Sequence, residues 1–375
     1  MKFVLAPDSF KESMTAKQAA LAMERGIRTI FPNSECVIVP MADGGEGTVE
    51  SLVDGSNGTL INIEVTGPAG NKVWAEYGLI DNGKTAVIEM ASASGLQLLQ
   101  PKERNPLYTT TYGTGELIKD ALNRGVTRLL IGIGGSATND GGVGMLQALG
   151  VSFKDKNLKE LSFGGGALSD LEIIDMTNLD RRLSSITIEV ACDVTNPLIG
   201  ERGASNIFGP QKGATPEMVK LLDQNLTNLA DKIHKYIGVD IAEKEGAGAA
   251  GGLGASLMAF LNGELKRGIE LIIKYTELER KILGADFVFT GEGSIDGQTF
   301  FGKTPFGVAK IAQKHQIPVI AFAGTVGDGA EVLYEHGFTA IMGILQSVTT
   351  LDKALLIGEK NLTITVENVC RIIKG

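Results

Sequence analysis

Six short apolar runs, most followed by a glycine-bearing loop and then a helical pattern, constrain this chain more than any other feature. They are "KFVLA" (2–6), "CVIVP" (36–40), "RLLIGI" (128–133), "ADFVFT" (285–290), "PVIAFA" (318–323) and "TAIMGI" (339–344). Runs that are apolar at nearly every position, rather than at every second one, suit strands of a parallel sheet covered by helices on both faces. The first helix is clearly signalled: Thr15 is placed as N-cap and Gln18 as its capping-box partner. Ala16, Ala19, Ala20, Met23, Ile27 and Ile30 then share one face. Repeated strand, loop and helix units predict a Rossmann-like, doubly wound α/β sheet, whose ligands bind beyond the carboxyl ends of the strands.

The middle of the chain breaks the pattern. "KVWAEYGLI" and "KTAVIEM" flank "DNG", a hairpin signal and therefore antiparallel sheet. At 375 residues the chain exceeds what one core usually holds. The expected organisation is a discontinuous Rossmann-like domain, 1–62 with 282–375, and an inserted second α/β domain with mixed sheet, 63–281, with the active site in the cleft between them.

Composition excludes several classes. The net charge is −9 and no run of lysine or arginine suits a phosphodiester backbone, so nucleic acid is not an expected partner. Three widely spaced cysteines, Cys36, Cys192 and Cys370, sit in apolar neighbourhoods and read as buried free thiols. The N-terminal apolar run is too short for a signal peptide and no stretch approaches a membrane span, so the cytoplasm is expected. Trp74 is expected in the core or at an interface, and the three histidines are given no catalytic role. The outlier is glycine: 49 residues, about 13% against a usual ~7%.

The glycines concentrate in loops that carry charge. After the first run, "APDSFKESMTAKQ" places Asp8, Ser9, Lys11 and Ser13 at the carboxyl edge of the sheet, where a lysine can neutralise phosphate. "PMADGGEGT" sets Asp43 and Glu46 among Gly44, Gly45 and Gly47. A capping box explains the carboxylates as helix formers, but not three glycines. Close approach of a ligand explains the glycines, and a divalent cation would reconcile them with two negative charges. "GIGGSATNDGG" matches the relaxed dinucleotide pattern at Gly132, Gly134 and Ala137, with Asp155 downstream. The second turn in "TNDGG" favours instead a phosphate cradle of Gly134, Gly135, Ser136, Thr138, Asn139 and Asp140. "TGEGSIDGQTFFGKTP" contains a Walker A string, Gly297 with Gly302, Lys303 and Thr304, but its first glycine lies too far from the strand. Lys303 is a candidate for phosphate, and Glu292 and Asp296 for magnesium. Asp193, closing an apolar run in "EVACDVTNPL", is a candidate general base or a mere turn former. A further stretch, "GAGAAGGLGASLMAF", reads as a hinge, as backbone near a ligand, or as small residues packing on a sheet.

Taken in order, "APDSFKESMTA", "PMADGGEGT", "GGSATNDGG", "ACDVTNPL", "FGPQKGAT", "GAAGGLG" and "TGEGSIDGQTFFGKTP" resemble the bacterial glycerate kinases of the glyoxylate and glucarate pathways almost end to end. The chain departs from that family where Glu12 stands in place of a usual glycine, and where Ser294 and Ile295 replace a usual arginine or lysine. The resemblance implies ATP-dependent, Mg2+-requiring phosphorylation of D-glycerate, on the 2-hydroxyl. On that reading Asp8, Ser9, Lys11, Asp43, Gly44 and Gly45 meet the substrate, and Asp193, Lys11 and Asp43 are catalytic. The glycine loop from Gly134 to Asp140 holds nucleotide with Lys303, and Glu46, Glu292 and Asp296 hold metal. A homodimer is compatible with the sequence. The rival readings are an NAD-dependent oxidoreductase of a small hydroxy acid and a non-enzymatic small-acid-binding protein.

Overall fold

The computed structural model describes residues 1–375. Its strands are β1 (Lys2–Leu5), β2 (Glu35–Ile38), β3 (Thr59–Thr66), β4 (Lys72–Ile80), β5 (Thr85–Glu89), β6 (Arg128–Gly132), β7 (Ser152–Lys154), β8 (Ile173–Asp175), β9 (Thr187–Ala191), β10 (Glu264–Lys266), β11 (Phe287–Ile295), β12 (Val319–Val326) and β13 (Phe338–Gly343). They fall into two compact units: Met1–Asp43, Glu50–Asn57 and Ile269–Gly375 form the first, and Gly44–Val49 and Gly58–Gly268 the second.

The first unit is a five-stranded, all-parallel sheet in the order β13-β12-β11-β1-β2. From β1 the chain steps one way to β2, and it later returns to the other side of β1 to add β11, β12 and β13. The strand order therefore reverses beside β1, which makes the carboxyl ends of β1 and β11 the switch point where ligands of such sheets bind. Thr15 caps the helix Ala16–Ile30: the Gln18 N–H donates to Thr15 Oγ1 at 3.3 Å and the Thr15 N–H to Gln18 Oε1 at 2.8 Å. The apolar face anticipated from spacing is the buried face, and it packs with the helix Gly358–Lys374 over Phe3, Phe289 and Phe322.

The second unit carries a six-stranded mixed sheet, β10-β9-β6-β5-β4-β3. Strands β5, β6, β9 and β10 run parallel, while β3 and β4 form an antiparallel flank. The turn joining β4 to β5 is the anticipated one, with Asp81, Asn82 and Gly83 all left-handed (φ 52°, 55° and 81°). A small hairpin, β7 with β8, lies apart from this sheet. The architecture is the α/β class expected, a parallel-sheet unit joined to one with mixed sheet.

Three expectations are corrected. Residues 291–295, read as loop, extend β11, because Glu292, Ser294 and Ile295 pair with Ala323, Thr325 and Val326. Of the two places expected for Trp74 the core is excluded: strand alternation puts Ala75 and Tyr77 inward and leaves Trp74 69% exposed opposite Glu64. Of the thiols only Cys370 is buried, and Cys36 and Cys192 are partly accessible. No helix is long and apolar enough to cross a membrane.

Candidate active site

In the first unit, the loop after β1, the last residues of β11 and the turn that follows hold a cluster of carboxyl groups. The Asp8 N–H donates to the Gly291 carbonyl at 2.8 Å, tying the β1 loop to β11 at the switch point. Asp8 Oδ2 accepts from the Thr304 hydroxyl at 2.5 Å and Oδ1 from the Ser9 N–H at 2.6 Å. Burial raises the Asp8 carboxyl to about 6; the Thr304 bond opposes the shift and repulsion from Asp43 adds to it. Glu292 is raised to about 7, again chiefly by burial, with Lys303 opposing and Asp8 and Asp43 contributing. Two carboxyls thus titrate near neutrality where ordinary ones would be fully ionised.

Lys303 is the cation of this cluster. Its Nζ lies 3.8 Å from Glu292 Oε1 and 3.7 Å from Asp296 Oδ1. Asp296 also caps the short turn Gly297–Phe301 by accepting from the Gln298 N–H at 2.9 Å, and Thr304 then opens the helix Thr304–Lys314 with Pro305 inside its first turn. The Walker A string is therefore no P-loop: a capped turn and a left-handed Gly302 precede the helix. Lys11 is exposed on the β1 loop, and the neighbouring Glu12 adopts φ 62°, a left-handed conformation, where the resembling family usually has glycine.

In the second unit, β5, β6 and β9 end at a common edge in Glu89, the loop 134–142 and Asp193. The loop is pinned along its backbone: the Leu96 N–H donates to Gly135 O and the Ala137 N–H to Ser94 O, both at 2.9 Å. Gly134 and Gly135 are exposed, whereas Ser136, Thr138, Asn139 and Asp140 are buried. Asp140, expected to meet nucleotide, is instead the strut of its own loop. It accepts from the Thr111 N–H and hydroxyl at 2.8 and 2.9 Å, and from the Gly142 and Gly144 N–H groups at 3.1 and 3.3 Å. Burial raises its carboxyl and those four bonds oppose the rise.

The glycines have partly different reasons from those read in the sequence. Gly44 is left-handed (φ 91°), and a Cβ there would fall 2.8 Å from Ala191 Cβ and 2.9 Å from Gly268 Cα. Close approach of the protein's own backbone, not only of a ligand, demands it. Asp43 is not the N-cap of the helix Thr48–Ser56, since several residues separate them. A residue the sequence did not mark, Glu89, takes that place: its Oε1 accepts from the Val49 N–H at 2.8 Å. Its only sequence signal is a carboxylate closing an otherwise apolar strand. Asp193 is exposed and its Oδ1 accepts from the Gly268 N–H at 3.0 Å, so it is a turn former whatever else it does. Asp155 fails the dinucleotide reading: Oδ1 accepts from the Asn157 and Lys159 N–H groups inside an exposed turn. Glu46 belongs to the second unit, whereas Glu292 and Asp296 belong to the first.

Glu89 yields a prediction of its own. Burial, first, and the charge of Glu46 hold it at about 7, against the contribution of the Val49 N–H. A raised carboxyl favours the folded state below its unfolded value near 4.5 and loses that contribution as pH rises through about 7. Glu89→Gln keeps an acceptor for Val49 and removes the charge. It should therefore stabilise the protein by on the order of 1–3 kcal/mol at pH 8 and by almost nothing at pH 3.5. Urea unfolding at the two pH values measures this, and equal effects at both would refute it.

Comparison with known proteins places the chain in a family. The family model described as glycerate kinase family matches residues 3–374. The chain is 53% identical to the glycerate kinase of Haemophilus influenzae over 373 residues, covering 100% of this chain and 99% of that one. It is also 53% identical to the glycerate 2-kinase of Escherichia coli, covering 94% and 93%. A crystal structure of a candidate glycerate kinase 2 from Salmonella typhimurium LT2 superposes with a TM-score of 0.91 at 49% identity, covering 100% and 98%. On this evidence the chain belongs to the glycerate kinase family, kinases that use an alcohol group as acceptor.

Proposed function

We propose that this chain transfers the γ-phosphoryl group of ATP to the 2-hydroxyl of D-glycerate, giving 2-phospho-D-glycerate and ADP. The observation that carries the reading is the buried Asp8 carboxyl at the switch point, bonded to the Thr304 hydroxyl and the Ser9 N–H and raised by burial to about 6, with Glu292 on β11 and Asp296 and Lys303 just beyond it. A kinase needs a group to take the acceptor hydroxyl's proton as its oxygen attacks phosphorus and the bond to ADP breaks. Such a base works best with a pKa near the operating pH. Asp8 meets that need better than Asp193, whose carboxylate is exposed. The 2-hydroxyl is favoured by the Escherichia coli relative, a glycerate 2-kinase.

Ser9, Lys11, Asp43, Gly44 and Gly45 are assigned to glycerate, and Lys303 with Gly134, Gly135 and Ser136 to phosphate oxygens. Magnesium fits the residues present. Glu292 and Asp296 offer the hard carboxylate oxygens it takes. No group of three or more histidine, cysteine, aspartate or glutamate residues forms a cage, so magnesium would have to take its other ligands from waters and substrate phosphates. When bound, it would neutralise charge on the moving phosphoryl group.

The test is ADP release with D-glycerate, ATP and magnesium, followed by phosphorus NMR of the product. Turnover giving 2-phosphoglycerate is expected. A 3-phosphoglycerate signal would overturn the regiochemistry, and folded protein that binds ATP without turning over would shift the acceptor to another hydroxy acid.

A further inference from the structure

Lys212 has no role in anything described so far, and its setting is unusual. It ends the short turn Pro210–Lys212 and is 1% exposed. Its Nζ donates to Ser136 Oγ at 2.8 Å and to the Thr138 carbonyl at 2.7 Å, but no carboxylate lies within ion-pair distance. Burial lowers its ammonium to about 7, with only the charge of Asp140 opposing. An ammonium held in the interior without a paired carboxylate costs several kcal/mol, and an apolar side chain of similar length would fill the same space without that cost. Packing alone does not account for it.

The direction of the bond to Ser136 matters. In its ammonium form Lys212 only donates, so the Ser136 oxygen is then the acceptor and its own hydrogen points elsewhere. No carbonyl or carboxylate oxygen of the protein takes that hydrogen. Ser136 adjoins Gly134 and Gly135, the exposed part of the loop. Two residues on, Thr138 Oγ1 is fully buried and has no hydrogen-bond partner at all, a rare condition for a buried hydroxyl. One loop thus contains a donor polarised by a buried cation and an unsatisfied hydroxyl.

We propose that Lys212 is a positioning residue of the phosphoryl-transfer reaction, orienting and polarising the Ser136 hydroxyl so that it donates to an anionic oxygen of a substrate. The inference rests on the kinase reading above. The anion's chemistry is a phosphate or carboxylate oxygen, supplied by ATP or by the hydroxy acid.

Lys212→Met, Ser136→Ala and the double variant test it. Lys212→Met should melt at or above the wild-type temperature, because the desolvated charge is gone. It should nevertheless raise KM at least tenfold for one substrate, with a smaller change in kcat; the substrate affected, ATP or D-glycerate, names the source of the anion. Ser136→Ala should raise the same KM, and the double variant should be little worse than either single one, because the two groups act as a unit. Equilibrium binding of ATP and of D-glycerate to wild type and Lys212→Met, by calorimetry, separates the two hypotheses. A wild type that binds both ATP and D-glycerate but does not turn over defeats the D-glycerate kinase reading alone, whereas equal affinities in the two proteins defeat this inference alone. A Lys212→Met protein that melts several degrees lower, with activity lost only in proportion to the unfolded fraction, would make the residue merely structural and overturn the proposal.

Discussion

Asp8→Asn should lower kcat by about 10²- to 10⁴-fold and at the same time make the protein more stable at neutral pH. Both effects have one cause. The site keeps Asp8 at about 6 because burial and the charge of Asp43 disfavour its ionised form more than the Thr304 hydroxyl and the Ser9 N–H favour it. A base in that state is reactive, and the fold bears the cost of its charge. The sign follows from linkage: a raised carboxyl contributes to stability below the unfolded value near 3.8, and that contribution disappears as pH rises through about 6. The amide oxygen can still accept from Thr304, at the loss of the acceptor for the Ser9 N–H, and the side chain carries no charge. The variant should therefore gain on the order of 1–3 kcal/mol at pH 7.5 and nothing at pH 3.5. In the wild type, kcat/KM should fall as pH drops through about 6. Asp193→Asn is the comparison. If it abolishes turnover while Asp8→Asn retains it, the proton goes to Asp193 and the assignment made here is wrong.

Gly251→Ala should cost the second unit about 2–4 kcal/mol. Its melting temperature should fall by roughly 5–15 °C for a unit of this size, and ATP affinity should fall with it. Gly251 sits at φ 67° at the kinked start of the segment Ala249–Leu261, and a Cβ there would lie 2.0 Å from the Thr138 carbonyl oxygen and 2.7 Å from Asn139 Cα. Both neighbours are backbone and cannot turn aside. The same carbonyl receives the Lys212 ammonium, and the Gly251 carbonyl in turn accepts from the Gly141 N–H at 3.0 Å. A displaced Gly251 therefore displaces the whole glycine loop. Thermal melts and calorimetric ATP binding check this, and a loss under about 1 kcal/mol would show that the loop yields more easily than the packing implies.

This result also answers a question the sequence left open. "GAGAAGGLGASLMAF" was compatible with a hinge, a ligand contact or packing, and the structure makes it a backbone-to-backbone junction with the loop 134–142. The same kind of reason applies at Gly44, where the neighbour is Ala191 and Gly268. Glycine content reported that something comes close; it did not report what.

What the sequence determined by itself was local or periodic. Uninterrupted apolar runs specify parallel strands, buried except at the sheet edges β2 and β13, Thr15 and Gln18 specify a capped helix start, and "DNG" specifies the turn between β4 and β5, because each depends only on residues a few positions apart. The carboxylates of the loops after β1 and β11 were legible as chemistry for the same reason, as residue types at the ends of predicted strands. Tertiary structure alone decided which of them were perturbed and which were consumed. Asp8 and Glu292 are brought together by β1 pairing with β11 across almost the whole length of the chain. Asp140 is taken up by Thr111, and Glu89 and Lys212 acquire their importance from Val49 and Ser136. Burial and long-range partners set a side chain's charge state and its free hydrogen-bonding capacity, and neither quantity exists until distant segments have packed.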